Sequence, residues 1–288
     1  VCFRTDSSRL AIRMENRWPC NMPHFAITGS DGLFVYEGAP HLMKPWNMVA
    51  PGIGQNKAEK EIAAKLPPAM REFTIYLPLY APLQSLEIGL DASAKVQKPS
   101  PHRLDKPVVF YGTSITQGGC ASTSGGDFAG GVGRRLDIDV VNLGFSGNGR
   151  GEPELAELIS EIDASAYVLD YVANSTPDSL LATLEGFISI LRAKHPETPI
   201  ILLSRIHYYA EAINADARSN VDRLRDIMIR EYIKRKDAGD ANIHFVDGYS
   251  LVAASEDFAL VDGVHPTSQG FALMAERFAP ALAHILGL

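Results

Sequence analysis

Long apolar runs are missing from this 288-residue sequence. None approaches the roughly 18–20 residues that a membrane-spanning helix needs, so no membrane span is expected. Dense stretches of lysine or arginine are missing too, and the net charge is −7. A nucleic-acid partner, whose phosphates demand clustered cations, is therefore not expected. Cysteine is scarce: Cys2, Cys20 and Cys120 are too few for a disulfide framework. Either Cys2 and Cys20 pair in an oxidising compartment and leave Cys120 over, or all three stay unpaired. The histidines show no metal-ligand spacing such as His-x-x-x-His, so neither a metal nor another cofactor is expected. Internal repeats and low-complexity tracts are absent.

What is present describes a globular chain, with 46% hydrophobic and 21% charged residues. Its length exceeds what one compact core usually needs, which suggests two domains. Residues 1–97 carry short apolar or alternating runs, at Leu10–Met14, Phe25–Thr28, Leu33–Tyr36, Glu72–Leu77 and Leu86–Leu90. Turn signals such as Gly29-Ser30-Asp31-Gly32 split them. Short strands with frequent turns predict an antiparallel, jelly-roll-like β-sandwich. Asn56–Lys65, rich in Ala, Glu and Lys, permits a short helix and equally a solvated loop. Trp46 is read as a buried anchor of this sandwich or as a platform that stacks on a sugar. Residues 98–106, with Pro99-Ser100-Pro101, form a linker-like break.

From Pro107 to Leu288 the pattern alternates β and α. Strands are expected at Val108–Tyr111, Val140–Leu143, Ala166–Tyr171, Pro199–Ser204 and Ile243–Val246. Helices are expected at Phe128–Leu136, Pro153–Ile162, after Pro177, at Ala217–Lys236 and at Thr267–Ile285. Five strands with crossover helices describe an α/β doubly wound parallel sheet, whose ligands collect at the carboxyl ends of the strands.

The first of these strands ends in Gly112-Thr113-Ser114. A serine at that edge is either a turn or cap residue or a nucleophile. About 150 residues downstream, Val261-Asp262-Gly263-Val264-His265 leads into the last helix. A serine needs a base to take its proton, and that base needs a carboxylate to hold its tautomer. Asp262 and His265 supply both from one turn, and both segments fall at the same sheet edge. After the second strand comes Gly144-Phe145-Ser146-Gly147-Asn148-Gly149. It reads as a tight turn, or as a loop that exposes N–H donors to a developing oxyanion. After the third strand, Asn174 reads as a helix cap or as a side-chain donor to that oxyanion.

Together these four segments resemble the SGNH (GDSL-like) hydrolases. Gly112-Thr113-Ser114 matches the first block, Gly147 the second, Asn174 the third, and Asp262 with His265 the last. The resemblance covers Pro107 to Leu288 and implies a flavodoxin-like sheet and a Ser-His-Asp esterase. Ser114 is the implied nucleophile, His265 the base and Asp262 its partner. The Ser114 and Gly147 N–H groups and the Asn174 amide would form the oxyanion hole. Two departures stand out. The first block reads Gly-Thr-Ser rather than Gly-Asp-Ser. In the third block Val172 and Ser175 replace the usual glycine and aspartate, which leaves Asn148 as a substitute donor.

A sandwich ahead of such a domain is similar to the arrangement in bacterial carbohydrate esterases. That resemblance implies an O-acetyl ester on a carbohydrate as substrate. It also implies a secreted or periplasmic location, with a cytoplasmic one left open; a start at Val1 rather than Met reads as a removed signal peptide or as trimming. Alternatives are a lipase-like or thioesterase hydrolase, and a silent glycan-binding protein. His207 and Tyr208, after the fourth strand, are candidates to line the acyl or sugar pocket beside Asn148, or else a packing cluster. Cys120, six residues after Ser114, has no histidine motif spaced for it and is not expected to be the nucleophile.

Overall fold

The computed structural model describes all residues from Val1 to Leu288. Eight strands occupy the N-terminal third: β1 (Cys2–Thr5), β2 (Leu10–Asn16), β3 (Leu33–Glu37), β4 (Lys44–Val49), β5 (Lys57–Ala63), β6 (Arg71–Tyr76), β7 (Leu83–Gly89) and β8 (Val96–Gln97). A short helical turn, α1 (Ile27–Ser30), interrupts them. One sheet runs β4-β3-β6-β1-β8 and the other β5-β2-β7, with antiparallel pairing throughout. The two sheets enclose a core of Phe3, Leu10, Ile12, Met14, Leu33, Val35 and Phe73 among others. On β2, Leu10, Ile12 and Met14 are buried and Arg13 is exposed, the alternation of a strand with one wet face.

Several expectations for this region need correction. Asn56–Lys65 is neither helix nor loop, because β5 pairs with β2 along an exposed edge. Ion pairs Arg9–Glu61 and Arg13–Glu59 cross that pairing, so the helix-forming composition yields to its neighbours. The Phe25–Thr28 run is not a strand, since Ile27 begins α1. Strands β1, β4 and β8 lie where no strand was expected. All three cysteines are free thiols, so Cys2 and Cys20 do not pair. Trp46 stacks on Phe73 with ring centroids 5.2 Å apart, as an anchor within the sandwich.

The remaining chain folds as α/β. In order come β9 (Val108–Gly112), α2 (Ser114–Gln117), α3 (Phe128–Leu136), β10 (Val140–Gly144), α4 (Pro153–Ile159), β11 (Ala166–Asp170), α5 (Pro177–Lys194), β12 (Ile200–Leu203), α6 (Ala215–Asp237), β13 (Ile243–Val246) and α7 (Ser268–Leu286). The five strands pair in parallel in the order β10-β9-β11-β12-β13, the flavodoxin-like arrangement. Every residue of β9, β11 and β12 is buried. Covered on both faces by helices, such strands read as unbroken apolar runs. α3 forms despite three glycines, because the Asp127 side chain caps it and Phe128, Ala129 and Val132 pack into the core. No helix is long and apolar enough to cross a membrane.

This topology reverses at β9. Its neighbours β10 and β11 diverge from it, so the turns after all three strands open on one crevice at the carboxyl edge.

Candidate active site

Gly112 ends β9 where no side chain would fit. A Cβ there would lie 1.9 Å from Thr116 Oγ1 and 2.7 Å from Asp170 O. The chain therefore turns straight into α2. Thr113 caps it, accepting from Ile115 N at 3.3 Å, and Thr116 Oγ1 accepts from Thr113 N at 3.1 Å. Ser114 thereby becomes the first residue of the helix, where an N–H has no intrahelical acceptor. The Ser114 N–H makes no hydrogen bond to the protein.

The turn at the far end of the chain is held as tightly. Val261 N donates to His265 O at 2.8 Å, and Leu260 bridges to Pro266. Asp262 Oδ1 accepts from Val264 N (3.0 Å) and His265 N (2.8 Å), so the carboxylate builds the turn that presents the histidine. Thr267 then caps α7 by accepting from Gly270 N.

These two turns meet. Ser114 Oγ lies 2.9 Å from His265 Nε2, and His265 Nδ1 lies 2.8 Å from Asp262 Oδ2. Burial pushes the Asp262 carboxyl up, but the His265 backbone and side chain and the Val264 N–H outweigh it and hold it down at about 2. With an ionised carboxylate on one ring nitrogen and a hydroxyl on the other, the His265 imidazole can take a proton from the serine, and the carboxylate can stabilise the imidazolium that results.

Gly147 sits at φ +68° in the loop after β10, a conformation that favours glycine. Its N–H has no partner either. Asn174 closes a short turn after β11 and donates its amide to the Asn148 carbonyl, which places it against the Gly147 loop. It is not the cap of α5, a task that falls to Thr176. The Asn148 side chain makes no bond and faces solvent.

His207 and Tyr208 lie elsewhere. They line a cavity of about 530 Å³ together with Tyr249, Arg218 and Asp222, and neither Ser114, Asp262 nor His265 reaches it. His207 stacks on Tyr249 at 3.4 Å, and both bond to the buried Glu211 carboxylate. Tyr209 connects the two regions, lining that cavity and donating its N–H to Gly263 O at 3.1 Å.

Three residues at the site carried no signal in the sequence. Gln117 joins the α/β unit to the sandwich, its amide donating to Leu79 O at 2.9 Å and its carbonyl accepting from Ser146 N at 2.8 Å. Tyr80 reaches Ser114 O at 3.4 Å, and burial pushes its phenol up to about 12. His24, from the sandwich, lies with its ring 6.1 Å from that of His265. Tyr80 and His24 belong to no motif and folding alone brings them here; Gln117 ends the α2 turn that Ser114 opens.

The buried Cys120 thiol is pushed up to about 11, by burial first and by Asp262 second. It is neutral near pH 7, and His265 is already bonded to Ser114. One ligand atom from each of His24, Cys120 and His265 lies within 4.8 Å of the others. To hold a metal, His265 would give up Ser114 or Asp262 and Cys120 would lose its proton, so the trio does not form a ready metal centre.

Comparison with known proteins bears on this geometry. The model of the GDSL-like lipase/acylhydrolase family matches residues 105–283. That of the N-terminus of SGNH hydrolase-type esterases matches residues 1–96. A solved protein of Bacteroides ovatus described as GDSL-like lipase is 30% identical with a TM-score of 0.90, over 99% of this chain and 84% of that one. A salicylyl-acyltransferase from a tetracycline biosynthetic pathway is 25% identical with a TM-score of 0.79, over 100% and 82%. A family two carbohydrate esterase from Clostridium thermocellum, solved with cellohexaose, shares the fold at 13% identity and a TM-score of 0.73, over 99% and 92%. No curated protein matches the sequence.

Proposed function

This chain belongs to the GDSL-like lipase/acylhydrolase family and is an ester-cleaving hydrolase; from that premise we propose that it is a serine esterase acting through Ser114, His265 and Asp262 on a small acyl ester, an O-acetyl group on a carbohydrate. The observation that carries the mechanism is the unbroken line from Ser114 Oγ through His265 to Asp262, with contacts of 2.9 and 2.8 Å.

Ser114 Oγ attacks the ester carbonyl carbon while His265 Nε2 takes the hydroxyl proton. Asp262 keeps the other ring proton on Nδ1 and balances the imidazolium. The carbonyl oxygen gains the negative charge and faces the Ser114 and Gly147 N–H groups, with Asn174 as the third donor. Collapse of this intermediate expels the alcohol, which receives its proton from His265. Water, activated by the same histidine, then frees the acid and restores Ser114.

The cavities of about 320 to 530 Å³ are lined by residues other than Ser114, His265 and Asp262, so none of these supplies a cleft for an acyl chain at the serine. That favours an acetyl group, because a long chain gains binding only by burying its methylenes. What supports a carbohydrate is the fold shared with a carbohydrate esterase over 99% of this chain, sandwich included. The likeness to an acyltransferase favours a second reading, in which an acceptor hydroxyl replaces water in the last step.

A panel of acetylated glycans, together with simple esters of rising acyl length, tests this. Acetate release from a glycan should exceed release of any acyl group beyond about four carbons, at roughly 0.8 kcal/mol of unused burial per added methylene. Rates that rise steadily with chain length would overturn the acetyl reading. Acyl transfer to an added sugar alcohol in preference to water would favour the second.

A further inference from the structure

The segment before α1 crosses from the sandwich to the carboxylate end of the Ser114–His265–Asp262 line. Cys20 N donates to Asp31 Oδ1 at 2.8 Å, and the Phe25 ring packs edge-on against Tyr80 at 4.9 Å. Between these two fixed points stands His24. Its Nε2 lies 3.8 Å from Asp262 Oδ2, and its ring is tilted 43° against that of His265. That Nε2 is shielded from solvent and has no hydrogen-bond partner.

An orphaned buried nitrogen costs free energy, and native structures rarely leave one without a reason. The acceptor it faces has room for it. Asp262 Oδ1 already takes two backbone N–H groups, whereas Oδ2 takes only His265 Nδ1. The Asp262 side chain is 35% exposed, so without His24 the open side of Oδ2 is left to water.

We propose that His24 is a positioning residue of the esterase: through an Nε2–H it donates to Asp262 Oδ2 when the 3.8 Å gap closes, so that the sandwich completes the catalytic array. This rests on the serine-esterase reading above. A second donor fixes the carboxylate plane while His265 becomes cationic, and it keeps water from competing for Oδ2. The sandwich is then part of the chemistry rather than an appended module. His24 touches neither substrate nor the reacting atoms and acts through Asp262 alone.

The test separates the donor from the ring. His24→Phe keeps the packing on His265 and loses the N–H; His24→Gln loses the ring and keeps an N–H. His24→Phe should lower kcat by about 10- to 100-fold, the scale of a misplaced catalytic group, with KM within about threefold. His24→Gln should stay within about threefold of the parent in kcat. Full kcat in the Phe variant, or equal losses in both, would overturn the proposal. Should the Phe variant fail to fold, imidazole 15N spectra of the unaltered protein decide: protonated Nε2 on His24 is expected, and the Nδ1–H tautomer refutes the donor role. Ser114→Ala run alongside separates the two readings. If it retains turnover the esterase reading fails; if it is inactive while His24→Phe is not, only His24 is wrongly assigned.

Discussion

Two aspartates stand at the carboxyl edge of the same sheet, and their surroundings drive them in opposite directions. Asp170 ends β11 beneath the Ser114 turn, 7% exposed, with Thr116 Oγ1 as its side-chain donor at 2.7 Å. Burial pushes it up to about 7, and that one hydrogen bond only moderates the rise. Asp262 sits on an outer turn and collects three N–H donors, which outweigh its lesser burial and hold it near 2. Residue type and sheet edge are shared; solvent and donor count decide. Near neutral pH only the second carboxylate is fully ionised, as the proposed partner of an imidazolium must be. The first serves the fold, tying Thr116 and so the capping box that seats Ser114.

The largest expected effect breaks the side of this pair that is proposed to be catalytic. Asp262→Asn keeps the shape but replaces the acceptor that dictates the His265 tautomer, so kcat should fall by on the order of 10⁴-fold. Steady-state kinetics of that variant check it, and a loss under about tenfold would detach Asp262 from the reaction.

The smaller effect lies on the structural side and appears as a pH dependence. A carboxyl raised from its unfolded value of about 3.9 contributes stability that is complete below that pH. This contribution is lost as pH rises towards the folded value of about 7. Asp170→Asn cannot ionise, and its amide oxygen still accepts from Thr116. The Tm of Asp170→Asn relative to the parent should therefore climb between about pH 4 and pH 7 and level off above. A Tm difference that stays flat across that range would show Asp170 to be ionised at no cost.

Legibility in the sequence follows the same division between buried strand and assembled contact. Val108–Gly112 announces itself because a strand covered on both faces has no polar positions to confuse the pattern. Asp262 and His265 are legible because one turn carries both. β5 is not, since Lys57–Ala63 is an edge strand whose exposed Lys and Glu residues favour helix locally, and only its pairing with β2 overrides them. His207 and Tyr208 follow β12 at the carboxyl edge, as their place after the fourth strand implies, but no pattern tells that they line a cavity without Ser114, Asp262 and His265. His24 lies furthest from view: it stands 241 positions before His265, and no pattern links the sandwich to the turn it meets.

The central claim is that Ser114 is an activated nucleophile. Treating the native protein with a fluorophosphonate and measuring its intact mass tests this most directly. One covalent adduct, mapped to Ser114 and absent from Ser114→Ala, is the expected result. An unlabelled parent, or an adduct that persists in Ser114→Ala, would contradict it.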